Sequence, residues 1–332
     1  MTRCAVVGAG AWGTALADLL ARNGREVSLW AFERDVTAAV NERHENPRFL
    51  PDVTLAPSLR ATSVVADALD DAQLVIYAVP SAHLRAVVRA AAAHVPAGAV
   101  LAIATKGIEQ GSLGLMTDVV EAEVPDRAVV ALSGPSFAAE VAARQPTAVV
   151  AASRDVLAAQ LVQETLSSPV FRVYTHDDVV GVELGGALKN VMAVATGIAE
   201  GVGLGFNSRA ALITRGLAEM TRLGVALGAQ EGTFAGLAGI GDLVLTCTGA
   251  LSRNRAVGLA VGRGATLDQA LAGKETVAEG VATARSARSL AQREGVEMPI
   301  VETVYRVLFE SYPPRKSVIE LMSRGLRAER DA

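Results

Sequence analysis

Along the first half of the chain, short apolar runs alternate with stretches in which apolar residues return every three or four positions. The runs at 3–7, 27–32, 74–79, 100–104, 128–132, 148–151 and 171–174 are rich in Val, Ile, Leu and Ala, and most are continuous rather than alternating. Unbroken apolarity predicts strands covered on both faces. Helical patterns lie between them, such as 12–23 ended by Gly24 and 82–93 ended before Pro96. Strand–helix–strand repetition of this kind predicts a doubly wound, mostly parallel sheet. From about position 176 the texture changes. Only helical stretches follow, at 179–200, 208–227, 242–248, 252–262, 266–272, 277–294 and 300–310, separated by Gly-rich turns. The expected class is therefore α/β, with a first domain over 1–178 and an all-helical second domain over 179–332.

Composition changes this picture little. A chain of 332 residues suits two domains better than one core. Aromatics are only 4% of it, so aliphatic side chains must do most of the packing. The net charge of −4, with no basic tract, argues against a nucleic-acid partner. Cys4 and Cys247 lie far apart in apolar segments, which fits a reducing, cytoplasmic setting. His44, His83, His94 and His176 lack the spacing of metal ligands, so no metal is expected. Glycines at 8, 10 and 13 would break the apolar helix of a secretory signal. No apolar run of about 18 residues is free of charges and glycines, so a soluble protein without a membrane span is expected.

The glycines have another explanation. Gly8-Ala9-Gly10-Ala11-Trp12-Gly13 follows the first strand and opens a helix, as a dinucleotide fingerprint does. Gly8 permits a tight turn, Gly10 lets a pyrophosphate approach the backbone, and Gly13 lets helix pack on strand. The helix N-terminus then offers free N–H groups to the phosphates. The second strand ends in Phe32-Glu33-Arg34. A carboxylate there favours the 2′-hydroxyl of NAD and an arginine the 2′-phosphate of NADP, so the pattern admits either cofactor.

Four further clusters carry candidate chemistry. Thr105-Lys106-Gly107 places a lysine just past the end of a strand. Ser133-Gly134-Pro135-Ser136-Phe137-Ala138 is a strand-to-helix turn in which Ser136 can cap the helix, contact a ligand, or both. Glu183-Leu184-Gly185-Gly186-Ala187-Leu188-Lys189-Asn190 sets a lysine on an apolar helix, over two glycines that each cost about 1 kcal/mol against Ala. Space beside a lysine on such a helix points to function. Finally, Gly239-Ile240-Gly241-Asp242 leads through Thr246 to Ser252-Arg253-Asn254-Arg255. Asp242 can cap a short helix. An arginine in the first turn of a helix is disfavoured by the dipole unless an anion is bound, which suggests a phosphate site.

Taken together these residues, with His44-Glu45-Asn46-Pro47-Arg48-Phe49-Leu50-Pro51, resemble the NAD(P)-dependent glycerol-3-phosphate dehydrogenase family from end to end. Ala11, where Ser is frequent, and Phe32, where His is frequent, depart from its pattern at the cofactor edge. The resemblance implies a Rossmann-type first domain, a helical substrate-binding domain and a homodimer feeding glycerophospholipid synthesis. It implies Lys189 as general acid/base, with Lys106, Asp242, Asn190 and Thr246 completing the catalytic group. Dihydroxyacetone phosphate or sn-glycerol 3-phosphate would meet Lys106, Gly134, Ser136, Lys189, Asp242, Ser252, Arg253 and Asn254. NAD or NADP would meet Gly8, Gly10, Ala11, Trp12, Gly13, Phe32, Arg34, Lys106, Ala138, Arg253, Val277 and Glu279. Lysine must shed its proton in one reaction direction, which requires its pKa to fall from about 10.4. Two rivals remain: a hydroxy-acid dehydrogenase of the same architecture and a non-enzymatic dinucleotide sensor.

Overall fold

The computed structural model describes residues 2–273, 278–323 and 325. Its sheet contains β1 (Arg3–Val7), β2 (Glu26–Trp30), β3 (Arg60–Thr62), β4 (Leu74–Tyr77), β5 (Val100–Ile103), β6 (Val129–Ser133), β7 (Thr147–Ala152) and β8 (Phe171–His176), in the order β3-β2-β1-β4-β5-β6-β7-β8. All neighbours run parallel except β6 and β7, where Ala131 faces Ala152 antiparallel. The architecture is the expected doubly wound, Rossmann-type sheet followed by helices.

The continuous apolar runs are explained by burial on both faces. Cys4 and Val6 of β1, with Leu74 and Ile76 of β4, enter one core beside Leu16 and Leu20 of the Ala11–Arg22 helix. The alternate residues Ala5, Val7, Val75 and Tyr77 enter the other, beside Leu84, Val88, Val119 and Val120. The edge strand β8 differs: Phe171 and Val173 are buried while Arg172 and Tyr174 face out. β3 escapes the sequence pattern because it is three residues long with a single buried position. Chain order reverses beside β1, which pairs with β2 on one side and β4 on the other. In such sheets ligands bind at the carboxyl ends of the strands at that point.

By its internal contacts the chain divides into two compact units, one of residues up to 106 with 114–183, the other of 107–113 with those from 184 onward. The second unit is helical. Within it the later turns of the Val179–Gly201 helix meet the Arg253–Gly262 helix through glycines: a Cβ on Gly197 would lie 2.1 Å from the Arg255 carbonyl oxygen, and one on Gly258 2.1 Å from that of Val194. The Pro299–Phe309 helix begins on the buried Glu219 carboxylate, which accepts the Ile300 N–H at 2.8 Å. A further helix, Pro314–Met322, lies beyond the last predicted one, with Ser317 as its buried position. Among the described residues only Val179–Gly201 is long and apolar enough to cross a membrane, and 89% of its apolar window is buried within the protein.

Candidate active site

In the first unit the polypeptide turns sharply after β1. Gly8 adopts φ +117°, and a Cβ there would lie 2.8 Å from the Ala78 carbonyl oxygen. At Gly13 a Cβ would lie 1.8 Å from the Gly8 oxygen, so helix and turn are in direct contact. Gly10, by contrast, faces open space: a Cβ added there would have nothing within 4 Å. Gly10 also caps the Ala11–Arg22 helix without offering a side-chain acceptor. The first-turn N–H groups, including those of Ala11, Trp12 and Gly13, have no carbonyl one turn back. Trp12 Nε1 is buried without a partner. The open space at Gly10 and the helix N-terminus that follows it fit a dinucleotide pyrophosphate.

Four other strand ends lie on the same edge. After β2, Phe32 is 79% exposed and stands edge-on to Trp30, with ring centroids 6.4 Å apart. Glu33 is half-buried and precedes the Arg34–Arg43 helix without a side-chain cap, while Arg34 is exposed. β4 ends in the buried Tyr77, whose hydroxyl has no partner. Following β5, the Thr105 hydroxyl donates to the Val79 carbonyl at 2.7 Å. Lys106 Nζ then donates to the Gly134 carbonyl at 3.2 Å. After β6 the Ser136 hydroxyl donates to the same carbonyl at 3.0 Å. Lys106, Gly134 and Ser136 therefore converge. Ser136 is not the helix cap: Phe137 occupies that position before the Ala138–Ala142 helix, and the serine turns back onto Gly134 instead. Gly134 itself has φ +133° and would press a Cβ 3.0 Å from Val149 Cα.

The second unit builds a side-chain cluster. Lys189 is 8% exposed, and its ammonium donates to Asp242 Oδ1 at 2.6 Å and Thr246 Oγ1 at 2.9 Å. Asp242 and Thr246 face one side of the Asp242–Thr248 helix because they are four residues apart. Asp242 is the first residue inside that helix, not its cap, and its carboxylate turns to the lysine. Gly185 does not clear space for a ligand: the backbone of Ala238 fills that space, 2.4 Å from where a Cβ would be. The Leu237–Gly241 turn is thereby pressed onto the helix just before Asp242.

Beside this cluster Asn254 Nδ2 donates to Asn190 Oδ1 at 2.8 Å, and Asn254 Oδ1 accepts the Gly280 N–H at 2.9 Å. Asn190 Nδ2 in turn reaches the Gly186 carbonyl at 3.3 Å. Both amides are buried, and together they tie three helices. Ser252 caps the Arg253–Gly262 helix by accepting the Arg255 N–H. Arg253 is exposed in the first turn, within electrostatic reach of Glu279. Val277 lies outside the described residues. No set of His, Cys, Asp and Glu among the described residues forms a metal cage.

Sequence reasoning gave no role to two buried polar groups. Glu183 accepts the Thr117 N–H at 3.0 Å and its hydroxyl as well, and burial pushes its pKa from 4.5 up to about 8 against the lowering effect of those bonds. Asn46 is 0% exposed and bonded to the glycine turn. Asn46 lies in the His44–Pro51 segment that carries the resemblance and Glu183 opens the Lys189 cluster, so each was in view without its role.

The profile of the NAD-dependent glycerol-3-phosphate dehydrogenase N-terminus matches residues 3–159, and that of the C-terminus of the same family matches 178–319. The protein named glycerol-3-phosphate dehydrogenase, NAD(P)+, of Geobacter sp. (strain M21) is 52% identical over 330 residues, 98% of each chain. That of Geobacter sulfurreducens is 54% identical over 331 residues, 99% of each. The crystal structure of glycerol-3-phosphate dehydrogenase from Coxiella burnetii superposes with a TM-score of 0.94 at 41% identity, covering 97% of this chain and 99% of that one. A ketopantoate reductase from Ralstonia eutropha, at 15% identity and TM-score 0.63, shares the fold alone.

Proposed function

This chain belongs to the NAD-dependent glycerol-3-phosphate dehydrogenase family, and on that premise we propose that it reduces dihydroxyacetone phosphate to sn-glycerol 3-phosphate, reversibly, with Lys189 moving the proton. Bound NADH or NADPH supplies the hydride. The protein must then orient the ketone, offset the charge that grows on its oxygen, and deliver one proton.

One observation supports this assignment above the others: an almost fully buried lysine held at 2.6 Å by a buried carboxylate. Lysine is rarely buried without a partner, and a buried ion pair is a poor device for stability alone. Asp242 and Thr246 fix the direction of the ammonium. In the reductive direction Lys189 donates to the developing alkoxide, and in the oxidative direction it accepts the proton back. The Asp242 carboxylate opposes loss of that proton while burial promotes it. Lys106, steered by the Gly134 carbonyl, adds positive charge for substrate and cofactor. Ser252, Arg253 and Asn254 take the phosphate, Arg253 supplying the charge and the Ser252-capped helix its free N–H groups. Asn190 sets the Asn254 amide. Ser136 and Gly134 also meet the substrate. The residues that would hold the cofactor are Gly8, Gly10, Ala11, Trp12 and Gly13 of the glycine turn, with Phe32, Arg34, Lys106, Ala138, Arg253, Val277 and Glu279 as the resemblance implies.

The same reading assigns a cytoplasmic homodimer that supplies glycerophospholipid synthesis, and sedimentation velocity reads the dimer directly. The activity test is NADH and NADPH oxidation with dihydroxyacetone phosphate, alongside 2-keto acids and a no-substrate control. Oxidation that depends on the phosphorylated ketone is expected. Turnover of 2-keto acids in its place would move the chain to the hydroxy-acid reading, and nucleotide binding without any turnover to the sensor. The two nucleotide arms report which cofactor is preferred.

A further inference from the structure

The turn after β1 is held from behind by a residue far along the chain. Asn46 Nδ2 donates to the Ala9 carbonyl at 2.9 Å and to Thr14 Oγ1 at 2.8 Å. The Thr14 hydroxyl donates to the same Ala9 carbonyl at 3.1 Å. Asn46 and Thr14 are each 0% exposed. Ala9 lies between Gly8 and Gly10, so two buried donors grip the one peptide carbonyl at the centre of the fingerprint.

That carbonyl matters because of its sign. A dinucleotide pyrophosphate is held here by backbone N–H groups and the positive end of a helix. A peptide plane in a glycine turn rotates easily, since glycine neighbours impose little on φ and ψ. Rotation of the Ala9 plane would turn a carbonyl oxygen toward the phosphates and remove a favourable dipole. With two donors behind it, the oxygen is fixed inward. The orientation of the Asn46 amide follows from its surroundings: its Oδ1 accepts the Phe49 N–H at 3.2 Å, and the flipped amide would set oxygen against the Ala9 oxygen. Asn46 thus uses its two N–H donors and its acceptor, and neither Asp nor Leu provides that set.

The segment bearing Asn46 is itself fixed to the same helix. Asp18 Oδ1 accepts the Ala56 N–H at 2.6 Å, and Arg22 Nη2 donates to the Thr54 carbonyl at 2.7 Å. Leu55 N–H bonds the His44 carbonyl at 2.8 Å. The loop is therefore a rigid support for the amide rather than a mobile tether. We propose that Asn46, acting with Thr14, is a positioning residue for the dinucleotide turn, which it holds in its phosphate-accepting form by fixing the Ala9 carbonyl. The inference rests on the fingerprint being the nucleotide site.

The experiment compares Asn46→Ala, Thr14→Val and Thr14→Ser with the parent. It reads NADH dissociation constants by fluorescence titration, KM for NADH and for dihydroxyacetone phosphate, kcat, and unfolding temperature without nucleotide. The loss of a positioned hydrogen bond predicts NADH binding about five- to tenfold weaker in Asn46→Ala, and weaker to a lesser degree in Thr14→Val. KM for NADH rises in step while kcat at saturating nucleotide stays within about twofold, the pattern of lost uniform binding. Thr14→Ser, which keeps the hydroxyl, restores the affinity. Should Asn46→Ala fail to fold, the Thr14 pair carries the same test. NADH affinity unchanged in Asn46→Ala and Thr14→Val, whatever their unfolding temperatures, overturns the inference alone. A parent protein that binds neither NADH nor NADPH overturns the inference together with the nucleotide reading beneath it.

Discussion

At the strand ends of the first unit, polar side chains address the backbone. Thr105 bonds the Val79 carbonyl, Lys106 and Ser136 the Gly134 carbonyl, Asn46 and Thr14 the Ala9 carbonyl. In the helical unit several address one another: Lys189 with Asp242 and Thr246, Asn254 with Asn190, Arg209 and Arg255 with Glu200. A turn whose ligands are N–H groups depends on backbone path and so on glycine. A cluster that moves a proton depends on the identity of each side chain. The two units should therefore respond to mutation in opposite ways, the first most at residues without a side chain and the second most at residues with a charged one.

The largest effect is expected at the ammonium. Lys189→Ala should lower kcat by about 10³-fold or more, within the range and its upper end for a positioned acid/base group. Nucleotide affinity should change less than about threefold, since Lys189 is not among the proposed cofactor contacts. The variant also strands Asp242 in a buried site, so its unfolding temperature should fall as well. Steady-state kinetics with fluorescence titration of NADH separates the two effects. Equal losses of turnover and nucleotide affinity would erase the contrast between the units.

Next in size is Gly13→Ala. The added methyl would lie 1.8 Å from the Gly8 oxygen, a backbone atom that cannot swing aside. Overpacking of this severity should cost about 3 kcal/mol or more in denaturant unfolding and weaken NADH in proportion to the distortion. Gly10→Ala is the internal control: with open space around its Cβ it should unfold like the parent and lose nucleotide affinity alone. Identical behaviour of the two alanines would show that close packing does not shape the turn.

Arg253→Ala should raise KM for dihydroxyacetone phosphate about 10- to 100-fold, the worth of a charge-assisted contact, and affect an unphosphorylated ketone far less. Similar effects on both substrates would remove the phosphate assignment and leave Arg253 as a surface charge.

The two units also differed in how much of them could be read from the chain alone. Every strand with both faces buried was legible, since burial on both sides leaves an unbroken apolar run, as at Leu74–Tyr77. β3 was not, because a three-residue strand carries no period. The clusters carrying Lys106, Ser136, Lys189 and Asp242 stood out as reactive types next to glycine. What each touches did not. Ser136 caps nothing, and Gly185 makes room for Ala238 rather than for a ligand. Contacts such as Asn46 with Ala9, 37 residues apart, are set by the path of a loop, which leaves no periodic trace.

Glu183 breaks the comparison on a small scale. By its contacts it belongs to the first unit, yet it pairs side chain to side chain with Thr117, on the same helix that carries Lys189. Burial holds its carboxyl protonated up to about pH 8, against 4.5 when solvated, with Asp118 adding to the shift and the Thr117 bonds resisting it. Between those values the native state binds a proton that the unfolded chain has released. Stability contributed by this group is thus complete below 4.5 and is lost as pH rises through about 8. Glutamine cannot ionise, keeps the acceptor for the Thr117 N–H, and offers a donor to the Thr117 oxygen. Glu183→Gln should therefore melt near the parent at about pH 5 and gain on it by about pH 9, the difference growing steadily across the interval. Melting curves of the two proteins over that range decide the point. A gap independent of pH would mean that Glu183 is ionised throughout, and that the first unit tolerates a buried charge as the second does at Asp242.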